Sequence, residues 1–136
     1  ALPISPGSLV FTGEQKMTES IITLLQYDET AIDQQAVPDD QLPDIDLEKV
    51  NWLDVRGLHN VELVEQIGRK YRVHPLALED VLDINQRPKL DEYETGIFFI
   101  FRALQFDKED LELQTEQVGV FFSQHVLLSF QENIAD

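Results

Sequence analysis

Glu79, Asp80 and Asp83 place three carboxylates within five residues of a chain that contains no cysteine. Carboxylate oxygens are the ligands that hard cations prefer. Mg²⁺ keeps much of its water shell, so one or two carboxylates can hold it weakly. On a helix, Glu79 and Asp83 stand four residues apart on one face, and Asp80 and Asp83 three apart. Like charges at those spacings repel by about a few tenths of a kcal/mol, which a bound cation or a nearby base would relieve. A solvated helix face is the competing reading of the same residues. Other chemistries find less support. The three histidines, His59, His74 and His125, form no i,i+4 ligand pair for zinc. The six glycines are scattered and make no phosphate-binding loop. Nothing marks a catalytic set, and the chain is read as a non-enzyme.

Helix signals bracket the acidic cluster. Pro75 suits a first helical position, where its missing N–H would have no partner anyway. His74 is placed to cap that helix, which should run to Leu82 or Asp83. Arg87 precedes Pro88 and is pushed toward extended geometry. Upstream, Asn60 is a candidate N-cap for a helix through Tyr71, with Val61, Val64, Ile67 and Tyr71 at helical spacing. Glu62 and Glu65 come early in it and Arg69 and Lys70 late, as the helix dipole favours.

Strand signals surround these helices. Ser8–Thr12, Ser20–Tyr27 and Val50–Val55 read as strands, with Trp52, Leu53 and Val55 expected in the core together with the Phe98–Phe101 region. Glu29–Ala36 is read as a short helix, followed by an acidic loop through Pro38 and Pro43. Lys89–Tyr93 reads as a short strand. Gly96–Phe106, Leu111–Phe122 and Val126–Gln131 read as three strands joined by short turns, an antiparallel meander. The expected fold class is therefore α/β: a mixed β-sheet with helical cover and a C-terminal antiparallel meander.

A length of 136 residues fits one domain, and 43% hydrophobic residues is enough for a real core. The net charge is −16, carried evenly: residues 1–50 hold 10 acids and 2 bases, and residues 51–136 hold 16 and 8. Such a field repels nucleic acid and anionic lipid, and favours cations or basic partners. No run approaches the roughly 20 apolar residues needed to span a bilayer. The absence of cysteine agrees with a reducing compartment. No repeat or low-complexity tract is visible.

Several ordered segments resemble one family. Pro6-Gly7-Ser8-Leu9-Val10-Phe11-Thr12-Gly13 resembles the opening of CorA-type magnesium transporters. Trp52-Leu53-Asp54-Val55-Arg56-Gly57-Leu58-His59 resembles their W-[IL]-[DN]-x-x-G-[IL]-H segment. His74-Pro75-Leu76-Ala77-Leu78-Glu79-Asp80-Val81-Leu82, followed by Asn85-Gln86-Arg87-Pro88-Lys89, resembles their H-P-L-x-L-E-D-[IV]-L and Q-R-P-K run. Glu116-Gln117-Val118 and Ser129-Phe130-Gln131-Glu132 match later family segments.

The resemblance implies the N-terminal cytoplasmic domain, over residues 1–136, of a pentameric Mg²⁺ channel that also takes Co²⁺ and Ni²⁺. It implies an α/β/α sandwich on the cytoplasmic face of the inner membrane, here without the stalk helix, the membrane spans or the Gly-Met-Asn motif. The parent is an integral membrane homo-oligomer; the fragment itself is expected to be soluble and to touch neither membrane nor nucleic acid. The implied role is to sense cytoplasmic Mg²⁺ and gate the channel. Asp80 is the implied ligand of a weakly held regulatory Mg²⁺, with Co²⁺ as a second candidate. Glu79 is implicated less directly, and Asp83 enters from helical spacing alone. The alternatives are the matching domain of a ZntB-like zinc transporter and a small acidic protein-binding module or enzyme.

Overall fold

The computed structural model describes residues 9–132. Its centre is a seven-stranded mixed sheet: β1 (Ile21–Tyr27), β2 (Ile32–Val37), β3 (Val50–Arg56), β4 (Lys89–Tyr93), β5 (Gly96–Asp107), β6 (Glu112–Phe122) and β7 (Val126–Gln131). The spatial order is β2-β1-β3-β7-β6-β5-β4. β3 and β7 pair in parallel at the centre, and every other pairing is antiparallel. The expected α/β class and meander are both present, with β4 extending the meander to the sheet edge.

Two helices, α1 (Val61–Tyr71) and α2 (Pro75–Leu82), follow β3. Their starts are local events. The Asn60 side chain accepts from the Leu63 N–H at 3.2 Å, and His74 Nδ1 accepts from the Leu76 N–H at 3.1 Å. Each bond satisfies one N–H that a helix start leaves unpaired. α1 ends at Arg72, which takes a left-handed conformation (φ 63°), while the Val73 N–H closes the turn onto the Gly68 carbonyl at 2.8 Å. Gly68 also lets α2 approach, because a Cβ there would collide with the Leu78 side chain.

The core lies between the helices and one face of the sheet. Ile22, Leu24, Leu53, Val55, Phe98, Ile100, Phe121, Leu128 and Phe130 supply the sheet side, and Val64, Ile67, Ala77, Leu78, Val81 and Leu82 the helix side. Cross-strand pairs such as Leu53↔Leu128 and Phe98↔Phe121 keep this set in register. The other face has no helical layer among the described residues. Trp52, expected in the core, is 38% exposed there, and Phe101 and Phe122 are also exposed. The period of two sends Trp52 to the face opposite Leu53 and Val55.

Two local expectations are corrected. Glu29–Ala36 is not a helix; Ile32–Val37 is the edge strand β2. The Asp28 carboxylate accepts from the Thr30 N–H, the Thr30 hydroxyl and the Ala31 N–H at 2.8–2.9 Å, which sets a tight turn and folds β2 back on β1. Residues 9–12 of the expected strand at Ser8–Thr12 are not a strand, and Ser8 lies outside the described residues. This segment straps the end of α2 instead. The Thr12 N–H donates to the Leu82 carbonyl at 3.0 Å, and Leu9 and Phe11 pack against the core.

Candidate metal centre

α2 and β4 bring the acidic cluster together with residues that helical spacing does not reveal. Lys89, Asp91 and Tyr93 alternate on one face of β4, opposite Ile100, Phe98 and Gly96 of β5. That is the helix-covered face, so all three point toward α2 at the sheet edge. A shallow cleft results, lined by Leu76, Glu79, Asp80, Lys89, Asp91, Glu92 and Tyr93.

At its centre, Lys89 Nζ lies 2.5 Å from Asp80 Oδ2 and 3.0 Å from Asp91 Oδ2. The Asp80 side chain keeps only 18% of its exposure, against 33% for Lys89 and 39% for Asp91. The hydrogen bond that Lys89 donates to Asp80 raises the Lys89 pKa above its ordinary value, with Asp91 adding to it and desolvation opposing. Tyr93 closes one end of the cleft. Its ring stacks on His74 with centroids 4.4 Å apart and planes 19° apart. Its pKa is raised, first by desolvation and then by the charges of Asp91 and Asp80.

The three residues singled out from the sequence have different surroundings. Asp80 faces the cleft and meets Lys89. Glu79 lines the same cleft, half-buried. Asp83 is the C-cap residue of α2, and its carboxylate is occupied by neighbours. Oδ1 accepts from the Thr12 hydroxyl at 3.3 Å and the Asn85 N–H at 3.2 Å, and Oδ2 from the Gln86 amide at 2.9 Å. As the C-cap, Asp83 still donates its N–H to the Glu79 carbonyl at 3.1 Å and sits one turn after Glu79, but its carboxylate is turned to Thr12, Asn85 and Gln86.

Gln117 on β6 holds the end of α2 in place. It is buried, and its amide donates to the Asp80 carbonyl at 3.2 Å and the Asp83 carbonyl at 3.0 Å, while its oxygen accepts from the Gln86 N–H. A buried polar side chain is expensive unless paired, and here the pairing fixes the backbone under Asp80. The family segment Glu116-Gln117-Val118 contains Gln117, but nothing in it shows that its amide reaches the end of α2. Lys89 escapes local spacing too, because it reaches Asp80 across the turn at residues 83–88.

The donors in the cleft are carboxylate oxygens, which suit a hydrated Mg²⁺ rather than a softer ion. Among the described residues, no three Asp, Glu, His or Cys side chains converge closely enough to enclose a metal. The cleft therefore offers part of a coordination shell and not a closed cage. No helix among the described residues is long and apolar enough to cross a membrane.

Comparison with known proteins adds the family context. Residues 48–135 match the family described as CorA-like Mg²⁺ transporter protein. The chain is 31% identical, over 98% of its length, to the cobalt/magnesium transport protein CorA of Thermotoga maritima, and it spans 38% of that relative. Among solved structures it resembles the full-length CmaX protein, with a TM-score of 0.64, 14% identity, and coverage of 90% of this chain and 37% of that one. It also resembles the soluble domain of CorA from Methanocaldococcus jannaschii, with a TM-score of 0.56, 16% identity, and coverage of 81% and 40%. At those identities the structural likeness establishes the fold.

Proposed function

The chain belongs to the CorA family, and from that premise we propose that it is the cytoplasmic regulatory domain of a homo-oligomeric, pentameric Mg²⁺ channel of the inner membrane, with Co²⁺ and Ni²⁺ as further substrates. Asp80 is a ligand of a regulatory Mg²⁺ at a subunit boundary, with Glu79 beside it. The observation that carries this reading is the place of Asp80: a partly shielded carboxylate in an acidic cleft at the sheet edge, backed by a buried glutamine. Asp83 is the weaker third ligand, because its oxygens are held by Thr12, Asn85 and Gln86. The oxygen-only donors favour the magnesium branch over a zinc one.

A partial shell would be completed by acids of a neighbouring subunit. When Mg²⁺ is abundant, its charge offsets the repulsion between facing carboxylates and holds the domains together. When Mg²⁺ falls, the carboxylates repel and the domains separate. The ion acts only through its higher affinity for the closed arrangement. A coupling of about 1–3 kcal/mol per site is ordinary, and several sites in a ring add.

Asp80→Ala should weaken inhibition of the full-length channel by internal Mg²⁺ and remove Mg²⁺-dependent protection from proteolysis. Lys at the same place should favour closure. An unchanged inhibition curve in patch recordings of Asp80→Ala would remove Asp80 from the sensor.

A further inference from the structure

We propose that Lys89 is the resident counter-cation of Asp80, so that a divalent ion reaches this carboxylate only by displacing the ammonium group. The inference rests on the reading of Asp80 as a cation ligand and adds the control of its occupancy.

The geometry supports an exchange. Lys89 Nζ sits between two carboxylates, 2.5 Å from Asp80 and 3.0 Å from Asp91. Lys89 and Asp91 are two residues apart on one strand face, so they stay neighbours whatever α2 does. An ammonium released from Asp80 therefore still has Asp91 as a partner and is not stranded. Among the described residues, Asp80 pairs with no second base. A cation that takes Asp80 from Lys89 thus costs the protein part of one pairing rather than a bare charge.

Displacement also gives selectivity. A monovalent ion offers Asp80 the same charge as the ammonium, without the tether that keeps Lys89 at a high local concentration. A divalent ion offers twice the charge at a short oxygen distance. The tethered lysine thus rejects K⁺ and Na⁺ and yields to Mg²⁺ only above a threshold concentration.

The test uses Mn²⁺, which shares the oxygen preference of Mg²⁺ and broadens nearby amide resonances. The ¹⁵N-labelled chain is titrated with Mn²⁺ as wild type, Lys89→Met and Lys108→Met. The last variant removes the same charge from the turn between β5 and β6. The Mn²⁺ concentration that half-broadens the Asp80 amide should fall about fivefold in Lys89→Met, the scale of a partly exposed ion pair, and far less in Lys108→Met. Lys89→Gln should behave as Lys89→Met, and a dispersed spectrum reports that each variant is folded. Equal shifts in the Lys89 and Lys108 variants, or none in either, overturn the exchange but leave Asp80 as a ligand. Absence of broadening around Asp80 in every variant also overturns the exchange, because no ion then competes with Lys89 in this chain, whereas the reading of Asp80 as a ligand between subunits stands or falls on the channel inhibition curve.

Discussion

Phe121 and Phe122 are neighbours on β6, yet one is fully buried and the other 52% exposed. The same contrast runs along the whole sheet. One face carries Leu53, Val55, Phe98, Leu128 and Phe130 under two helices; the other carries Trp52, Ile97, Phe101 and Phe122 with no helix over them among the described residues. The open face is apolar but crossed by a polar chain. The Trp52 indole N–H donates to Ser129 Oγ at 2.8 Å, Ser129 donates to Asp54 at 2.6 Å, and Arg56 Nε donates to the same carboxylate at 2.8 Å. Strand alternation sorts side chains into two sets but does not say which set receives a cover. The second helical layer implied by the family resemblance would rest on the open face. The candidate site belongs to the covered one, where the Lys89–Asp80 pair links β4 to α2.

The pair Phe121 and Phe122 provides the sharpest test of that contrast. Phe121→Ala removes a ring from a closed core and leaves a cavity, and should cost about 3–5 kcal/mol. Phe122→Ala removes a ring that water already reaches over half its surface, and should cost no more than about 1 kcal/mol. Urea denaturation of the chain measures both. Similar losses for the two variants would mean that the open face is covered in solution.

Asn51 and Trp52 repeat the contrast on β3, with polar groups in place of rings. Asn51 is 1% exposed. Its Oδ1 accepts from Gln26 Nε2 at 2.8 Å, and its Nδ2 donates to the carbonyls of Asp46 at 2.9 Å and His125 at 3.0 Å. It ties β1, the acidic loop and the β6–β7 turn together. Asn51→Leu leaves these buried groups without a partner and should cost about 2–3 kcal/mol. Trp52→Phe on the open face gives up one hydrogen bond and should cost about 1 kcal/mol. Denaturant midpoints rank the two, and a reversed order would refute the view that burial sets the cost.

The elements readable from sequence are those fixed by nearby residues. Asn60 and the His74-Pro75 pair announce their helices because caps act over three residues. The meander is readable because its strands are long and joined by short turns. β2 is not, since Ile32 to Ala36 are all exposed and leave no period of burial to detect. Its true signal was the Asp28 turn, where a side chain replaces backbone pairing. Trp52 lies on the open face against expectation, because a strand with large apolar residues on both faces does not say which one faces helices. At the candidate site, the family segments contain Asp80, Lys89 and Gln117 but do not show that they meet, because β4 and β6 bring Lys89, Asp91 and Gln117 to α2 only in the fold. Helical spacing puts Asp83 one turn after Glu79 but cannot show that Thr12, Asn85 and Gln86 hold its carboxylate.

Tyr71 offers a smaller test of how the covered side holds the acidic loop. It is 6% exposed, and its hydroxyl donates to the Pro43 carbonyl at 2.6 Å. Burial first, and the nearby Asp44 carboxylate second, push its pKa up to about 12. An unfolded tyrosine loses its proton near pH 10. Below that value the folded and unfolded chains are both protonated here, and Tyr71 adds no pH dependence. As pH rises from about 10 toward 12, the unfolded chain releases the proton while the folded chain retains it, so this group destabilises the fold progressively. Tyr93, also raised, acts in the same direction. Tyr71→Phe should cost about 1 kcal/mol at neutral pH, from the lost bond to Pro43. In return, its stability should fall less steeply in alkali, so the gap from wild type narrows as pH rises. Denaturant midpoints at about pH 8 and about pH 11 for both chains measure that gap. A constant gap would show that the Tyr71 hydroxyl titrates alike in both states, and that the acidic loop does not seal the end of α1.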